Sequence, residues 1–109
     1  MYSAVILTLN EERALPGCLA SLRGCDDVVV LDSGSSDATA SIASAAGARF
    51  LSRGFDTFAG QRNHAQRAIA FRHPWVFHLD ADERMTPELE RECRRAAARD
   101  DLDGFRAAP

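Results

Sequence analysis

Three apolar runs of strand length, each followed by a polar residue, constrain the fold of this chain more than any other feature. The runs span residues 2–9, 28–31 and 75–79. Such continuous apolar runs are typical of strands covered on both faces of a parallel sheet. Asn10, Asp32 and Asp80 directly follow the runs. Because the carboxyl ends of parallel strands meet at one edge of a sheet, we expect these three side chains to gather there.

Segments with helical character separate the predicted strands. Helices are expected over residues 16–23, 38–46 and 60–72, with a fourth opened by Thr86 and Pro87. Ala65, Ala68 and Ile69 form the expected inner face of the third helix. A short strand is expected over residues 48–51, and another begins near residue 105. This alternation predicts an α/β fold with a Rossmann-like open, mainly parallel sheet and helices on both faces.

Composition excludes several classes of protein. The formal net charge of -3 argues against a nucleic-acid partner, and all 13 basic residues are arginine. The three cysteines lack C-x-x-C spacing, so neither a zinc site nor a disulfide framework is indicated. No stretch approaches the roughly 18 apolar residues of a membrane span. We therefore expect a cytoplasmic chain, or one held at the inner face of the membrane by a longer parent protein.

Three carboxylates within four residues follow the run over residues 75–79. They belong to Asp80, Asp82 and Glu83. Hard divalent ions prefer oxygen ligands, and Mg²⁺ often shares one or two carboxylates with substrate phosphates. Asp82 is the expected ligand of Mg²⁺ or Mn²⁺, and Asp80 is expected to hold a ribose hydroxyl or to bind the metal through water. An acidic turn that only caps the next helix is the alternative.

A nucleoside diphosphate lying across this edge would find further polar partners. Asp32 would accept hydrogen bonds from the base or the ribose, and Ser33 offers a hydroxyl that both donates and accepts. Thr8 and the backbone around Leu9 and Asn10 would line the base pocket. The alternative role for Asp32 is to cap the helix that follows it.

Arg62 stands near the start of the helix that precedes the acidic strand. Its planar guanidinium suits a base carbonyl or a phosphate, although a lone arginine is often just a surface residue. A divalent ion that bridges two phosphates neutralises the charge on a departing diphosphate. Together these residues predict sugar transfer from a sugar nucleotide.

Four motifs resemble, in order and spacing, the nucleotide-binding half of family-two glycosyltransferases with the GT-A fold. They are VILTLNEE at 5–12, VLDSGSSD at 30–37, QRNHA at 61–65 and LDADER at 79–84. The branch that they resemble most is the one known as lipopolysaccharide core biosynthesis glucosyltransferases. The resemblance covers nearly the whole chain.

This resemblance implies an inverting transferase that uses a UDP-sugar with Mg²⁺ or Mn²⁺ and a glycan or lipid-linked acceptor. By position, Thr8, Asp32 and Arg62 would contact the nucleotide, Asp80 the ribose and Asp82 the metal. Leu9, Asn10 and Glu11 belong to the first of the matching motifs and join the predicted nucleotide-binding set. Many relatives have an aspartate that contacts the base where this chain has Ser33, which leaves the donor base open.

Family members also need a second half that carries the acceptor site and the catalytic base. No residue here can be assigned as that base. We therefore expect residues 1–109 to be a nucleotide-sugar-binding part, truncated before the acceptor-binding half, that binds donor without transferring sugar by itself. An apolar face left uncovered in this way would favour a homodimer.

Other classes of function are alternatives to the transferase. A nucleotidyltransferase that makes sugar nucleotides should carry a Gly-rich basic loop after the first strand, where this chain has Asn-Glu-Glu-Arg at 10–13. A receiver-like signalling module requires a lysine on a late strand, and this chain has none. An interaction domain without a ligand stays open, and titration with UDP and Mn²⁺ separates it from the transferase.

Overall fold

Five parallel strands form one sheet within residues 2–54, 58–98 and 105–107, the part of the chain that the computed structural model describes. They are β1 (Ser3–Thr8), β2 (Val28–Asp32), β3 (Arg49–Ser52), β4 (Val76–Asp80) and β5 (Phe105–Ala107). Their order across the sheet is β3-β2-β1-β4-β5. The predicted α/β class and parallel sheet are confirmed, including the strand expected near residue 105.

Helices cover both faces of this sheet, as predicted. They are α1 (Leu15–Ser21), α2 (Thr39–Ala45), α3 (Phe58–Ala68) and α4 (Pro87–Ala97). Buried residues of α1, α2 and α4 share one apolar cluster with the sheet, whereas Ala65 of α3 belongs to a second cluster. Among the described residues, no helix is long and apolar enough to cross a membrane.

Alternation along the central strand explains how one sequence serves both clusters. On β1, Ala4 and Ile6 lie in the larger cluster, whereas Val5 lies in the smaller one with Ala65. Successive side chains of a strand point to opposite faces, so an unbroken apolar run is required when both faces are covered. The length and composition of this run are therefore the direct cause of its central position.

Helix α4 begins where the sequence predicted. The side chain of Thr86 accepts a hydrogen bond from Leu89 N at 3.1 Å, and Pro87 occupies the first turn. Acidic residues lie in the first turn of α4 and basic residues in its last turn, which suits the helix dipole. Local sequence therefore specifies where this helix begins.

The third helix was predicted too long at its carboxyl end. It spans Phe58–Ala68 rather than residues 60–72. Of its expected inner face, Ala65 is buried, but Ala68 is exposed and Ile69 lies beyond the end of the helix. Ile69 is half-buried and packs against the same cluster as Ala65, so the expected inner face is correct at these two residues and wrong at Ala68.

Hydrogen bonds to the neighbouring strands explain why the helix stops. Arg72 N donates to Asp27 Oδ2 at 2.7 Å, and Arg49 Nη1 donates to Ala70 O at 2.9 Å. These two contacts tie the backbone after Ala68 to the amino edge of the sheet. In a helix continued to residue 72, Arg72 N would bond to the carbonyl of Ala68 instead of to Asp27, so tertiary contacts override helix propensity here.

Strand register brings the predicted polar residues to one edge. Thr8 pairs with Asp32 across β1 and β2, and Leu7 pairs with Asp80 across β1 and β4. The chain order reverses at β1, since β2 and β3 lie on one side of it and β4 and β5 on the other. Open α/β sheets bind ligands outside the carboxyl ends of their strands at such a point.

A buried carboxylate closes the opposite, amino edge. Asp27 is 6% exposed and accepts hydrogen bonds from Ser3 Oγ at 2.7 Å, Arg49 Nη2 at 2.9 Å and Arg72 N at 2.7 Å. Burial acts to raise the pKa of Asp27, but the hydrogen bonds from Ser3 and Arg72 and the charge of Arg49 outweigh it and lower the pKa. Asp27 therefore joins three segments of the chain.

We expect Asp27→Ala to lower the free energy of unfolding by about 2–4 kcal/mol, because it removes the acceptor of the buried Ser3 hydroxyl and of two partly buried N–H donors, Arg49 Nη2 and Arg72 N. Urea denaturation followed by circular dichroism measures the change. The matched control is Asp26→Ala, which removes an exposed carboxylate that pairs with His73 and Arg72. Exposed pairs contribute little, so an equal loss in the two variants would contradict this account.

Candidate functional site

A cleft of about 480 Å³ opens at the carboxyl edge of the sheet. Its lining comprises Leu7, Thr8, Leu9, Glu11, Ser33, Gln61, Asp80, Ala81 and Asp82. Six of the predicted site residues are thus brought together, namely Thr8, Leu9, Glu11, Ser33, Asp80 and Asp82. A larger groove of about 650 Å³ lies between α1 and α2, but its lining is mainly apolar and holds none of the predicted site residues.

Three predicted residues do not line this cleft. Asp32 is buried beside it, and Asn10 lies in the turn after β1. The backbone of Arg62 lies in α3, but its side chain is outside the described residues. The proposed contact of Arg62 with a nucleotide stays a prediction.

Asp32 lies buried beside the cleft and hydrogen-bonds to residues around it. The residue is 2% exposed. Oδ1 accepts hydrogen bonds from Thr8 Oγ1 at 2.6 Å and from Ser35 Oγ. Oδ2 accepts hydrogen bonds from Gly34 N at 2.9 Å and from Ser35 N at 2.6 Å. Burial acts to raise the pKa of Asp32, but the hydrogen bonds from Ser35, Thr8 and Gly34 outweigh it and lower the pKa. Both carboxylate oxygens are engaged within the protein. A direct contact of Asp32 with a ligand stays a prediction, and it would require one of these bonds to open.

Asn10 links the turn after β1 to the turn after β2. Its backbone has a positive φ of 53°, a conformation that asparagine tolerates better than most residues. Asn10 N donates to Ser35 Oγ at 2.7 Å, and Asn10 Oδ1 accepts from Ser36 N at 2.8 Å. Its side chain therefore holds two loops together.

Gln61 is a site residue that the sequence prediction did not include. It is 1% exposed; Nε2 donates to Ser33 Oγ at 2.8 Å, and Oε1 accepts from Arg53 Nη1 at 2.7 Å. A buried amide with its polar atoms satisfied is well suited to positioning a neighbour. The available signal was its place beside Arg62 in the motif over residues 61–65.

A tight turn after β4 presents the acidic residues. Glu83 Oε1 accepts from Asp80 N at 2.8 Å, and Glu83 N donates to Asp80 O at 2.9 Å. Glu83 therefore holds the turn, while the exposed carboxylates of Asp80 and Asp82 border the cleft. The turn leaves two oxygen-rich side chains open to a ligand.

Glu11 lines the same cleft and interacts electrostatically with these carboxylates. Burial raises its pKa, and the neighbouring charges of Asp82, Asp37 and Asp80 raise it further. Negative charge from three separate segments of the chain thus accumulates at one place. Such an arrangement is favourable when a cation is bound.

The acids by themselves do not form a complete metal cage. Among the described residues, no group of three or more His, Cys, Asp or Glu side chains is arranged to hold a metal ion. Mg²⁺ commonly takes one or two carboxylates and completes its shell with water and substrate phosphates. The donor set therefore suits an ion that binds together with a phosphate-bearing ligand.

The sequence profile described as glycosyl transferase family 2 matches residues 3–107. The chain belongs to this family. The sheet is that of the GT-A glycosyltransferases, as the four motifs predicted.

Relatives of this family 2 chain include named and uncharacterised glycosyltransferases. It is 39% identical over 112 residues to the lipopolysaccharide core biosynthesis glycosyltransferase LpsC of Rhizobium meliloti, covering 97% of the chain and 41% of LpsC. It is 32% identical over 106 residues to the uncharacterised glycosyltransferase RC0292 of Rickettsia conorii, covering 96% of the chain and 37% of that protein. The chain thus spans less than half of the length of either relative.

Two solved structures share the fold. Glucosyl-3-phosphoglycerate synthase of Mycobacterium tuberculosis in complex with UDP superposes with a TM-score of 0.66 at 26% identity, over 78% of this chain and 35% of that one. Staphylococcus aureus TarS (1–349) gives a TM-score of 0.71 at 22% identity, over 86% and 31% of the two chains. At that identity the TarS likeness concerns the fold alone.

We expect Asp32→Asn to lower the free energy of unfolding of this family 2 chain at pH 7 by about 1–3 kcal/mol, because an amide cannot accept all four hydrogen bonds. The folded-state pKa of Asp32 is lowered, so its contribution is present above the unfolded pKa and is lost as pH falls through the folded pKa. Urea titrations from pH 7 down to pH 3 should show the difference between variant and wild type shrinking. A difference that is constant over this range would contradict the role of the ionised carboxylate.

Glu11→Gln should have the opposite effect on stability. Because the folded-state pKa of Glu11 is raised, ionisation of Glu11 costs more in the folded chain than in the unfolded one. In buffer without divalent ions, the variant should unfold at a higher temperature than wild type at pH 7, and the gain should fall as pH drops through the raised folded-state pKa of Glu11 and be lost below about 4.5. Thermal unfolding at several pH values measures this. The control is Glu92→Gln on the exposed face of α4, which should leave the midpoint nearly unchanged.

Proposed function

We propose that this chain is the donor-binding part of a family 2 glycosyltransferase and that it binds a UDP-sugar together with a divalent metal ion. The observation that carries the proposal is the convergence of Glu11, Asp80 and Asp82 with the hydroxyl-bearing residues Thr8 and Ser33 in one cleft of about 480 Å³. One end of this cleft is acidic and the other carries neutral polar groups. A sugar nucleotide has the same division, since its phosphates need a cation and its base needs hydrogen bonds.

The acidic end fits a hard divalent ion. Asp82 and Asp80 are exposed carboxylates on one turn, and Mg²⁺ and Mn²⁺ prefer such oxygen donors. When bound there with the diphosphate, the ion would act as a Lewis acid that offsets negative charge on the leaving group. A structure of the M. tuberculosis synthase with Mn²⁺, UDP-glucose and phosphoglyceric acid, at a TM-score of 0.64 and 26% identity over 74% of this chain and 33% of that one, supports this choice of ion and nucleotide.

The neutral end fits the nucleoside. Thr8 is the last residue of β1, and Ser33 directly follows the neighbouring strand β2. Ser33 N donates to Thr8 O at 2.9 Å. Leu9 is an exposed apolar residue beside them, which suits the face of a planar base. We place the base against this end, the ribose near Asp80 and the diphosphate between them and Asp82.

The activity that we propose for the whole protein is sugar transfer with inversion to a glycan or lipid-linked acceptor in cell-envelope synthesis. The similarity to LpsC supports that acceptor class. The general base must lie within about 3 Å of the acceptor hydroxyl, and we assign it to none of the described residues. We therefore propose that residues 1–109 bind the donor and that transfer needs the acceptor-binding part that longer relatives supply.

Calorimetric titration of the chain with UDP, with and without Mn²⁺, tests this function. We expect Mn²⁺ to tighten UDP binding by about tenfold or more, or about 1.4 kcal/mol. Asp82→Ala should abolish this gain because it removes the exposed metal ligand. Glu92→Ala, which removes another exposed carboxylate, on α4, is the control and should retain the gain.

Two results would contradict the proposal. If UDP does not bind with Mn²⁺ present, the chain is not a donor-binding part, and the reading as an interaction domain without a ligand is favoured. If Asp82→Ala retains the full effect of Mn²⁺, the metal is held elsewhere. Circular dichroism of each variant checks that the fold is intact, which we expect for Asp82→Ala because Asp82 is exposed.

A further inference from the structure

The structure determines whether the hydroxyl of Ser33 donates or accepts a hydrogen bond toward the cleft. Gln61 Nε2 donates to Ser33 Oγ at 2.8 Å, and this is the one hydrogen bond of Ser33 Oγ within the described part of the chain. A serine hydroxyl carries one proton and two lone pairs. Because Ser33 Oγ accepts from Gln61, its own proton is available on the side that faces the cleft.

Arg53 fixes the orientation of the Gln61 amide. A guanidinium can only donate, so the oxygen of Gln61 must face Arg53 Nη1, at 2.7 Å. The carbonyl oxygen of Arg53 can only accept, and Gln61 Nε2 donates to it at 3.3 Å. The two contacts independently exclude the flipped amide, so the NH₂ group is the one that faces Ser33.

The hydroxyl of Thr8, by contrast, can only accept a hydrogen bond from a ligand, because its proton is already donated within the protein. Its hydroxyl donates its single proton to Asp32 Oδ1 at 2.6 Å. Asp32 is ionised and accepts only, so Thr8 Oγ1 has lone pairs and no proton to offer a ligand. The neutral end of the cleft therefore combines one outward donor, Ser33, with one outward acceptor, Thr8.

We propose that Gln61 is a positioning residue that makes Ser33 an obligate donor to an acceptor atom of the nucleobase. This inference rests on the proposed function, since it assumes that a nucleotide occupies the cleft. A carboxylate at position 33 would accept a hydrogen bond from the base, whereas Ser33 donates one. The base recognised here must therefore present a carbonyl oxygen or an unprotonated ring nitrogen to Ser33.

A double-mutant cycle between Gln61 and Ser33 tests the inference. In Gln61→Glu, the carboxylate keeps an acceptor for Arg53 but can no longer donate to Ser33. The proton of Ser33 should then turn toward position 61, and its lone pairs should face the base. We expect Ser33→Ala to weaken UDP binding by about three- to tenfold and Gln61→Glu by about tenfold or more.

The coupling between the two substitutions is the decisive quantity, because it removes the general effect of the added negative charge. If Gln61 acts through Ser33, the fold-loss of UDP affinity caused by Gln61→Glu should be at least three times smaller in the Ser33→Ala background than in wild type. A purely structural role would give the same loss in both backgrounds, and a coupling below threefold would overturn the inference. Asn63→Asp, an exposed amide-to-acid change on α3, is the charge control.

Folding and the site of contact are checked in parallel. If Gln61→Glu does not fold, as judged by circular dichroism, Gln61→Met replaces it in the cycle. It should weaken UDP binding about twofold or more in wild type and have no effect in the Ser33→Ala background. Equal effects of Gln61→Met in the two backgrounds would overturn the inference.

Titration with uridine, which lacks phosphates, identifies the part of the ligand that Ser33 contacts. Ser33→Ala should weaken uridine and UDP by the same factor. A loss with UDP alone would place the contact on a phosphate and overturn the assignment to the base. Absence of UDP binding by wild type would overturn the proposed function together with this inference, whereas UDP binding without coupling would overturn the inference alone.

Discussion

One buried carboxylate, that of Asp32, determines the shape of the cleft. An ionised group is tolerated inside a protein only when hydrogen bonds replace its water, and Asp32 obtains them from Thr8, Gly34 and Ser35. Those donors come from the end of β1 and from the turn after β2. The strand ends and the turn are consequently held in one arrangement, and the side chains of Thr8 and Ser33 take their positions from it.

Negative charge is handled differently at the two edges of the sheet. At the amino edge, Asp27 pairs with the cation of Arg49 and is fully integrated into the fold. At the carboxyl edge, Asp80 and Asp82 are exposed, and their charges raise the pKa of Glu11. Repulsion of this kind costs stability, and a bound cation would offset that cost. The edge where charge is left uncompensated is therefore the edge suited to binding.

The sheet and its functional edge were predictable because apolar runs and turn residues are local signals. Six predicted residues meet in the cleft because each lies at, or within a few residues after, the carboxyl end of a strand whose burial the sequence already encodes. The end of α3 was not predictable, since it depends on Asp27 and Arg49, which lie more than 20 residues away along the chain. Gln61 was missed for a similar reason. Its role arises from contacts with Ser33 and Arg53 that only the folded chain brings together.

The reciprocal bonds of Asn10 have a practical consequence for engineering. Asn10 N is satisfied by Ser35, and Ser36 N is satisfied by Asn10, so neither loop carries its own complete set of partners. A graft that replaces Asn10 alone would leave Ser36 N without its acceptor, and a graft that replaces Ser35 alone would leave Asn10 N without its acceptor. Chimaeras that aim to alter ligand preference should therefore exchange residues 9–12 and 33–37 as a single cassette.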